Sequence, residues 1–307
     1  MSLTRTVLLR ASRSPWLARQ FRTRAFAQRA VRRFMPGEDV TAALDAAETF
    51  RTRGMGTVLT SLGEQVRSGD EAAAVCAEYL ALLDAVRVRE LPTEVSVKLT
   101  HFGLDLDAAA CAERVRTLVQ RAEPSGIRVW IDMEEASYVD ATLDVFRHVR
   151  RQHTGVGVCL QAYLRRTPAD VEALLPLAPA IRLVKGAYRE TPDVAWQRRR
   201  DIDDAYHALA AHLLEHAPAG SFTVLGTHDD TLIHRLRAHA RARGVPESAY
   251  EVHMLYGIRP QLQHDLAGAG TRVRVLISYG ENWFPWYVRR IAERPANMWF
   301  VLRNIVS

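Results

Sequence analysis

The chain holds only two lysines, Lys98 and Lys185, against 39 arginines. A surface cation can be either type, but a compact ammonium and a planar guanidinium differ where geometry or proton transfer matters. Both lysines fall in strand-like runs, Ser96-Val97-Lys98-Leu99 and Leu183-Val184-Lys185-Gly186. Each is a candidate for positioning an anion or a cofactor; the bland alternative is chance survival of a compositional bias. Arg289 and Arg290 stand side by side, with Glu293 four residues after Arg289. Paired guanidinium groups can grip a carboxylate, and Glu293 at helical spacing could steady Arg289. A solvated basic patch would look the same. His228 beside Asp229, with His101 and His253 elsewhere, raises the question of a metal, but no H-x-H pattern is present, so no metal is expected. Cys76, Cys111 and Cys159 are odd in number and lack a C-x-x-C. They argue against a disulfide framework and for a reducing compartment.

Eight short β-branched or apolar runs could position these groups: Gly56–Leu62, Glu94–Leu99, Arg128–Met133, Val156–Tyr163, Ile181–Ala187, Phe222–Thr227, Tyr250–Leu255 and Arg272–Ser278. Helix-length segments separate them. Asp107 caps one that runs to Ala122, Pro168 suits the first turn of another, and Thr191-Pro192-Asp193 is expected to open a helix reaching about His216. Strands alternating with helices imply parallel βαβ units, and the simplest closure of eight is a barrel. An open doubly wound sheet is the rival, weakened because no G-x-G-x-x-G follows the first run. The expected fold is α/β, a distorted (βα)8 TIM barrel with an N-terminal helical extension. The extension covers residues 1–50 and the catalytic barrel 51–307. In such barrels the site forms at the C-terminal strand ends. Those ends carry Lys98, Asp132 and Met133, Gln161, Arg182 and Lys185, Thr227 and His228, and Leu255.

The net charge of +6 is uneven: nine arginines precede the first acid, Glu38, and without them the remainder carries −3. The basic start is read as an Arg-rich capping helix, with Leu17, Phe21 and Ala25 facing the body, or as a lipid-surface or targeting segment. Nucleic acid is not an expected partner, because no aromatic-basic interleaving continues into the body. No apolar run approaches the ~18 residues a membrane span needs.

The ordered series Ser96-Val97-Lys98-Leu99, Ile131-Asp132-Met133-Glu134-Glu135, Gln161-Ala162-Tyr163-Leu164, Arg182-Leu183-Val184-Lys185-Gly186-Ala187-Tyr188, Thr227-His228-Asp229, Met254-Leu255-Tyr256-Gly257-Ile258 and Val288-Arg289-Arg290-Ile291-Ala292-Glu293 resembles the proline dehydrogenases, from about residue 55 to 303. The short compass resembles the monofunctional bacterial enzymes. That resemblance implies tightly bound FAD, oxidation of L-proline to Δ1-pyrroline-5-carboxylate, and electrons passed to a membrane quinone. The implied location is the cytoplasm, with peripheral contact at the inner membrane face. Carried over by position, Lys98, Arg289 and Arg290 would bind the substrate carboxylate, with Glu293 beside them. Asp132 and Arg182 match active-site residues, Arg182 near the flavin N5. Met133, Gln161, Lys185, Gly186, Ala187, Thr227 and His228 match FAD contacts. Tyr188 and Leu255 would wall the substrate pocket. Two positions depart: the family usually carries tyrosine where Leu276 and Trp286 stand. An altered wall opens the alternative of a proline analogue or another cyclic or N-alkylated amino acid. A flavoprotein that binds without catalysing is the reading from a different class.

Overall fold

In the computed structural model, residues 32–281 and Trp283 are described. The strands are β1 (Gly56–Ser61), β2 (Thr93–Val97), β3 (Val129–Ile131), β4 (Val156–Gln161), β5 (Ala180–Val184), β6 (Phe222–Gly226), β7 (Tyr250–Leu255) and β8 (Val273–Tyr279). Each pairs in parallel with the next, and β8 closes onto β1. The architecture is therefore a (βα)8 barrel, and every one of the eight expected runs contributes a strand.

The helices among the described residues are α1 (Val40–Arg51), α2 (Gly69–Val88), α3 (Ala108–Ala122), α4 (Val139–Arg150), α5 (Thr167–Leu174), α6 (Arg199–His216), α7 (Asp230–Ala242) and α8 (Pro260–Gly268). Short polar side chains start several of them by accepting an otherwise orphaned backbone N–H. Asp107 accepts from Ala110 N at 3.0 Å, and Asp229 accepts from Leu232 N at 3.3 Å. The helix α1 is capped by Asp39 and buries Ala43, Leu44, Ala47 and Phe50. This face packs against β8 and β1.

One expected boundary is corrected. The helix predicted to open at Thr191 begins at Arg199. The Thr191-Pro192-Asp193 segment makes a single turn, with Ala195 N donating to Thr191 O at 2.9 Å. Ala195 then bridges Leu164 in antiparallel fashion, and Trp196 N donates to Tyr163 O at 2.8 Å. Those tertiary bonds hold the stretch extended across the β4–α5 loop, overriding a good local start signal.

Alternation along the strands separates two apolar regions. Outward residues such as Val95, Val97, Val129 and Ile131 join the large cluster under the helices. Inside the barrel, Val58, Trp130, Ala180 and Val224 form a small separate layer. Gly157 is required here, because a Cβ on it would sit 2.5 Å from the Trp130 ring. This apolar layer divides the barrel interior into a floor and a mouth.

Candidate active site

The mouth opens into a cavity of about 390 Å³. It is lined by Lys98, Asp132, Met133, Gln161, Arg182, Lys185, Gly186, Ala187, Tyr188, Thr227, His228, Leu255 and Leu276, thirteen residues singled out from sequence. Trp286, Arg289, Arg290 and Glu293 lie outside the described residues. A second hollow, of about 440 Å³, lies against α7 and α8, among residues such as Asp230, His234 and Arg259. None of the candidate site residues lines it.

Arg182 anchors the cavity from β5. Its Nη2 donates to Ser96 Oγ at 2.9 Å and closely to Asp132 Oδ1. Ser96 Oγ also donates to Asp132 Oδ1 at 2.9 Å. The guanidinium lies over the Trp130 ring, 5.2 Å from its centre. Burial works against the Arg182 charge, but Asp132, Cys159 and Glu94 together more than offset it, so the group is held firmly cationic. Its Nη1 is buried and has no partner.

Lys98, just past β2, reaches Glu64 Oε1 at 3.1 Å and donates to the Tyr188 hydroxyl at 3.3 Å. Burial opposes its charge, yet Tyr188, Glu64, Asp132 and Glu134 together push its pKa above the ordinary lysine value. Lys185 is clamped between Asp203 and Asp229, with Asp229 Oδ2 at 2.9 Å. Its charge is therefore largely neutralised before any ligand arrives. The next residue, Gly186, has φ +112, and a Cβ there would strike the Tyr163 ring at 2.1 Å. Glycine is thus demanded by backbone and packing, besides any close approach of a ligand.

Gln161 Nε2 donates to Glu134 O at 3.2 Å, while its Oε1 is buried without a partner. Thr227 Oγ1 accepts from Asp229 N at 3.2 Å. His228 Nε2 accepts from Leu255 N at 2.8 Å, which assigns its proton to Nδ1. Leu276 presents an apolar surface from β8, and Leu255 another from β7. Thr60, Cys159, Gly226, His253 and Ser278 also line the cavity. Thr60, Gly226 and Ser278 escaped the sequence reading, Cys159 was read only for its redox setting and His253 only as a possible metal ligand, although each falls on the inward phase of its strand. Glu64 was missed as well, since nothing in its neighbourhood marks it as the partner of Lys98.

An unpartnered buried donor on Arg182 and an unpartnered buried acceptor on Gln161 are costly unless a ligand completes them. A flat heteroaromatic ring with donors and acceptors on its edge, such as a flavin, fits that pair. No cysteine is arranged as a nucleophile: burial pushes the Cys159 thiol up.

Comparison with known proteins follows the same lines. Residues 43–303 match the family model described as proline dehydrogenase. Proline dehydrogenase 1 of Bacillus subtilis (strain 168) is 36% identical over 276 residues, 90% of each chain. Proline dehydrogenase 2 of the same strain is 34% identical and covers 99% of each chain. Proline dehydrogenase of Deinococcus radiodurans is 34% identical, over 90% of this chain and 89% of that one. Among solved structures, proline utilization A from Bdellovibrio bacteriovorus superposes with a TM-score of 0.79 at 24% identity. The match covers 86% of this chain but only 32% of that one, and shows the shared fold. A family match over most of the length, with relatives above one-third identity over 90% or more of each chain, makes this chain a member of the proline dehydrogenase family.

Proposed function

We propose that the chain oxidises L-proline to Δ1-pyrroline-5-carboxylate on bound FAD and passes the electrons to a quinone. The observation that carries this reading is the pairing of unpartnered Arg182 Nη1 and Gln161 Oε1 inside the lined mouth. FAD bound there would supply the acceptor for the hydride that leaves the carbon beside the amine. Arg182, fixed by Asp132, Ser96 and the Trp130 face, presents a cation that needs no reorganisation when negative charge develops beside it. Lys98, with Arg289 and Arg290, holds the substrate carboxylate and so fixes the ring over the acceptor. In this reading a substrate carboxylate joins or displaces Glu64 at Lys98. Leu255 and Leu276 form an apolar wall for the ring and keep water away from it. Tyr188 steadies the Lys98 ammonium.

The test is direct. The purified protein should be yellow, and anaerobic L-proline should bleach the flavin absorbance. A colourless protein, or one whose colour no amino acid removes, overturns the reading. The second outcome would favour a non-catalytic flavin-binding module.

A second substrate reading rests on Leu276. This apolar residue lines the cavity where a polar ring-recognising group would otherwise reach a substituent. Screening hydroxyprolines, pipecolate and N-methyl amino acids in the same bleaching assay separates the two. The quinone proposal gives the basic N-terminus a use at an anionic bilayer surface. No described helix is long and apolar enough to cross a membrane. Co-sedimentation with anionic liposomes that survives deletion of residues 1–35 would remove the N-terminus from this role.

A further inference from the structure

Beneath the mouth, the barrel floor holds a buried ionic knot. Glu251 and His253 on β7 share one hydrogen bond, Oε1 to Nε2, at 2.6 Å. Arg274 on β8 donates to Glu251 Oε1 at 2.9 Å and lies 3.5 Å from Glu94 on β2. Glu94 in turn accepts the Trp130 indole N–H at 2.6 Å. Glu94, Glu251 and His253 bring donor atoms within 4.8 Å of one another. Arg274 and the indole already take up the carboxylate lone pairs, so this is an ion-pair knot and not a vacant cation site.

One atom of the knot is different. His253 Nδ1 is buried and has no partner, and His253 lines the active-site cavity. With Glu251 ionised between Arg274 and Arg272, the proton on Nε2 is donated to that carboxylate. Nδ1 is then left as a bare acceptor on a residue that lines the pocket. We propose that the Glu251–His253 pair is a charge-compensating proton site: Nδ1 takes a proton when the cavity above gains negative charge and releases it when that charge leaves. This rests on the flavin reading given above.

The groups facing His253 make it the cheapest acceptor. Glu251 on its own strand and Glu94 on β2 favour the imidazolium; burial and Arg182 on β5 oppose it. The balance lies below the ordinary histidine value, so the resting imidazole is neutral. Trp130 on β3 packs edge-on, with ring centres 5.6 Å apart. The other lining groups cannot take the proton as easily. Lys98 and Arg182 are already cationic, the Cys159 thiol on β4 is already protonated, and Asp132 is bound to Arg182. His228 has its Nε2 lone pair engaged by Leu255 N–H. A new negative charge near Arg182 offsets the repulsion between that guanidinium and an imidazolium at His253.

The step balances simply. Two electrons enter from a reductant, one proton accompanies them onto the flavin as part of the hydride equivalent, and a second proton from solvent forms the N–H bond at His253 Nδ1. The experiment follows the midpoint potential of the bound flavin against pH, near neutrality, in wild type and His253→Gln, using dithionite as reductant. Wild type should fall by one proton per electron. The glutamine variant, with a hydrogen-bonding but non-titrating side chain, should fall with half that slope. Equal slopes overturn the inference. If the variant does not fold, ¹⁵N imidazole spectra of the wild type decide: one of its 11 histidines should change from neutral to cationic on reduction, and no change overturns the inference. Absence of bound flavin would overturn this inference together with the reading it rests on, whereas a flavin with equal slopes overturns the proton site alone.

Discussion

The floor and the mouth of the barrel are built from similar residues and end in opposite states. Below the Trp130 layer, Glu94 and Glu251 are each met by guanidinium groups and by a ring N–H. Above it, Arg182 Nη1 and Gln161 Oε1 lack partners, and Lys98 leans on the partly exposed Glu64. Satisfied charges rigidify a fold, while unsatisfied ones in a cavity await a ligand. Removing a charge from the floor should therefore cost stability, and removing one from the mouth should cost chemistry.

The largest effect is expected on the floor. Arg274→Met leaves Glu251 and Glu94 short of a buried cation, which typically costs about 3–5 kcal/mol. Urea unfolding measures this, and adding Glu251→Gln to the same chain should recover part of the loss. A variant as stable as wild type would show that the floor is not held by its ion pairs. At the mouth, Arg182→Met should lower the proline-dependent bleaching rate by roughly 10²–10³-fold, with a smaller change in the urea midpoint than Arg274→Met. A reversed ranking of the two midpoints would break the contrast.

A third effect comes from the rim. His101 presses against Gly63, where a Cβ would lie 2.1 Å from its ring. Burial, and then Lys98, push its pKa down to about 4 from 6.5. The folded imidazole stays neutral while the unfolded chain takes up a proton near the ordinary value, so between these limits the unfolded state binds more protons. Stability therefore rises with pH through that window, is complete above it, and is lost as pH falls towards 4. A shift of this size corresponds to at most about 3 kcal/mol. His101→Gln should flatten the dependence of the thermal midpoint on pH between 4 and 6.5; an unaltered slope would exonerate His101.

The contrast also explains what the sequence disclosed. Strand runs such as Ile181–Ala187 were legible because β-branched residues in short blocks carry their own signal, and strand ends imply a mouth. Lys98 and Lys185 stood out by rarity. The partners did not, because Glu64, Ser96, Asp203 and Glu251 meet their cations only after barrel closure. Arg182 and Ser96, for example, are 86 residues apart. The helix predicted from Thr191 failed for a related reason: its local cap was real, but the Leu164–Ala195 bridge is a tertiary event. His253 was weighed as a metal ligand, whereas the fold gives it Glu251 two residues earlier on the same inward face.

The smallest expected effect is the most informative about substrate. Leu276 belongs to the mouth yet packs partly against the apolar layer that divides the barrel. It joins the two regions and offers the bound ring a surface without a hydroxyl. Replacing it with tyrosine adds bulk and one polar group at that wall. If proline is the substrate, a phenol should be tolerated, because proline's ring carries no substituent to collide with it. Ring-substituted analogues should lose ground by about 10- to 100-fold relative to proline, the range for a reshaped apolar pocket. The ratio of kcat/KM for L-proline to that for trans-4-hydroxyproline measures the change, and a ratio unmoved by Leu276→Tyr would take this residue out of the substrate wall. A fall in proline turnover as large as that of the analogues would instead show that the phenol closes the pocket to the unsubstituted ring as well.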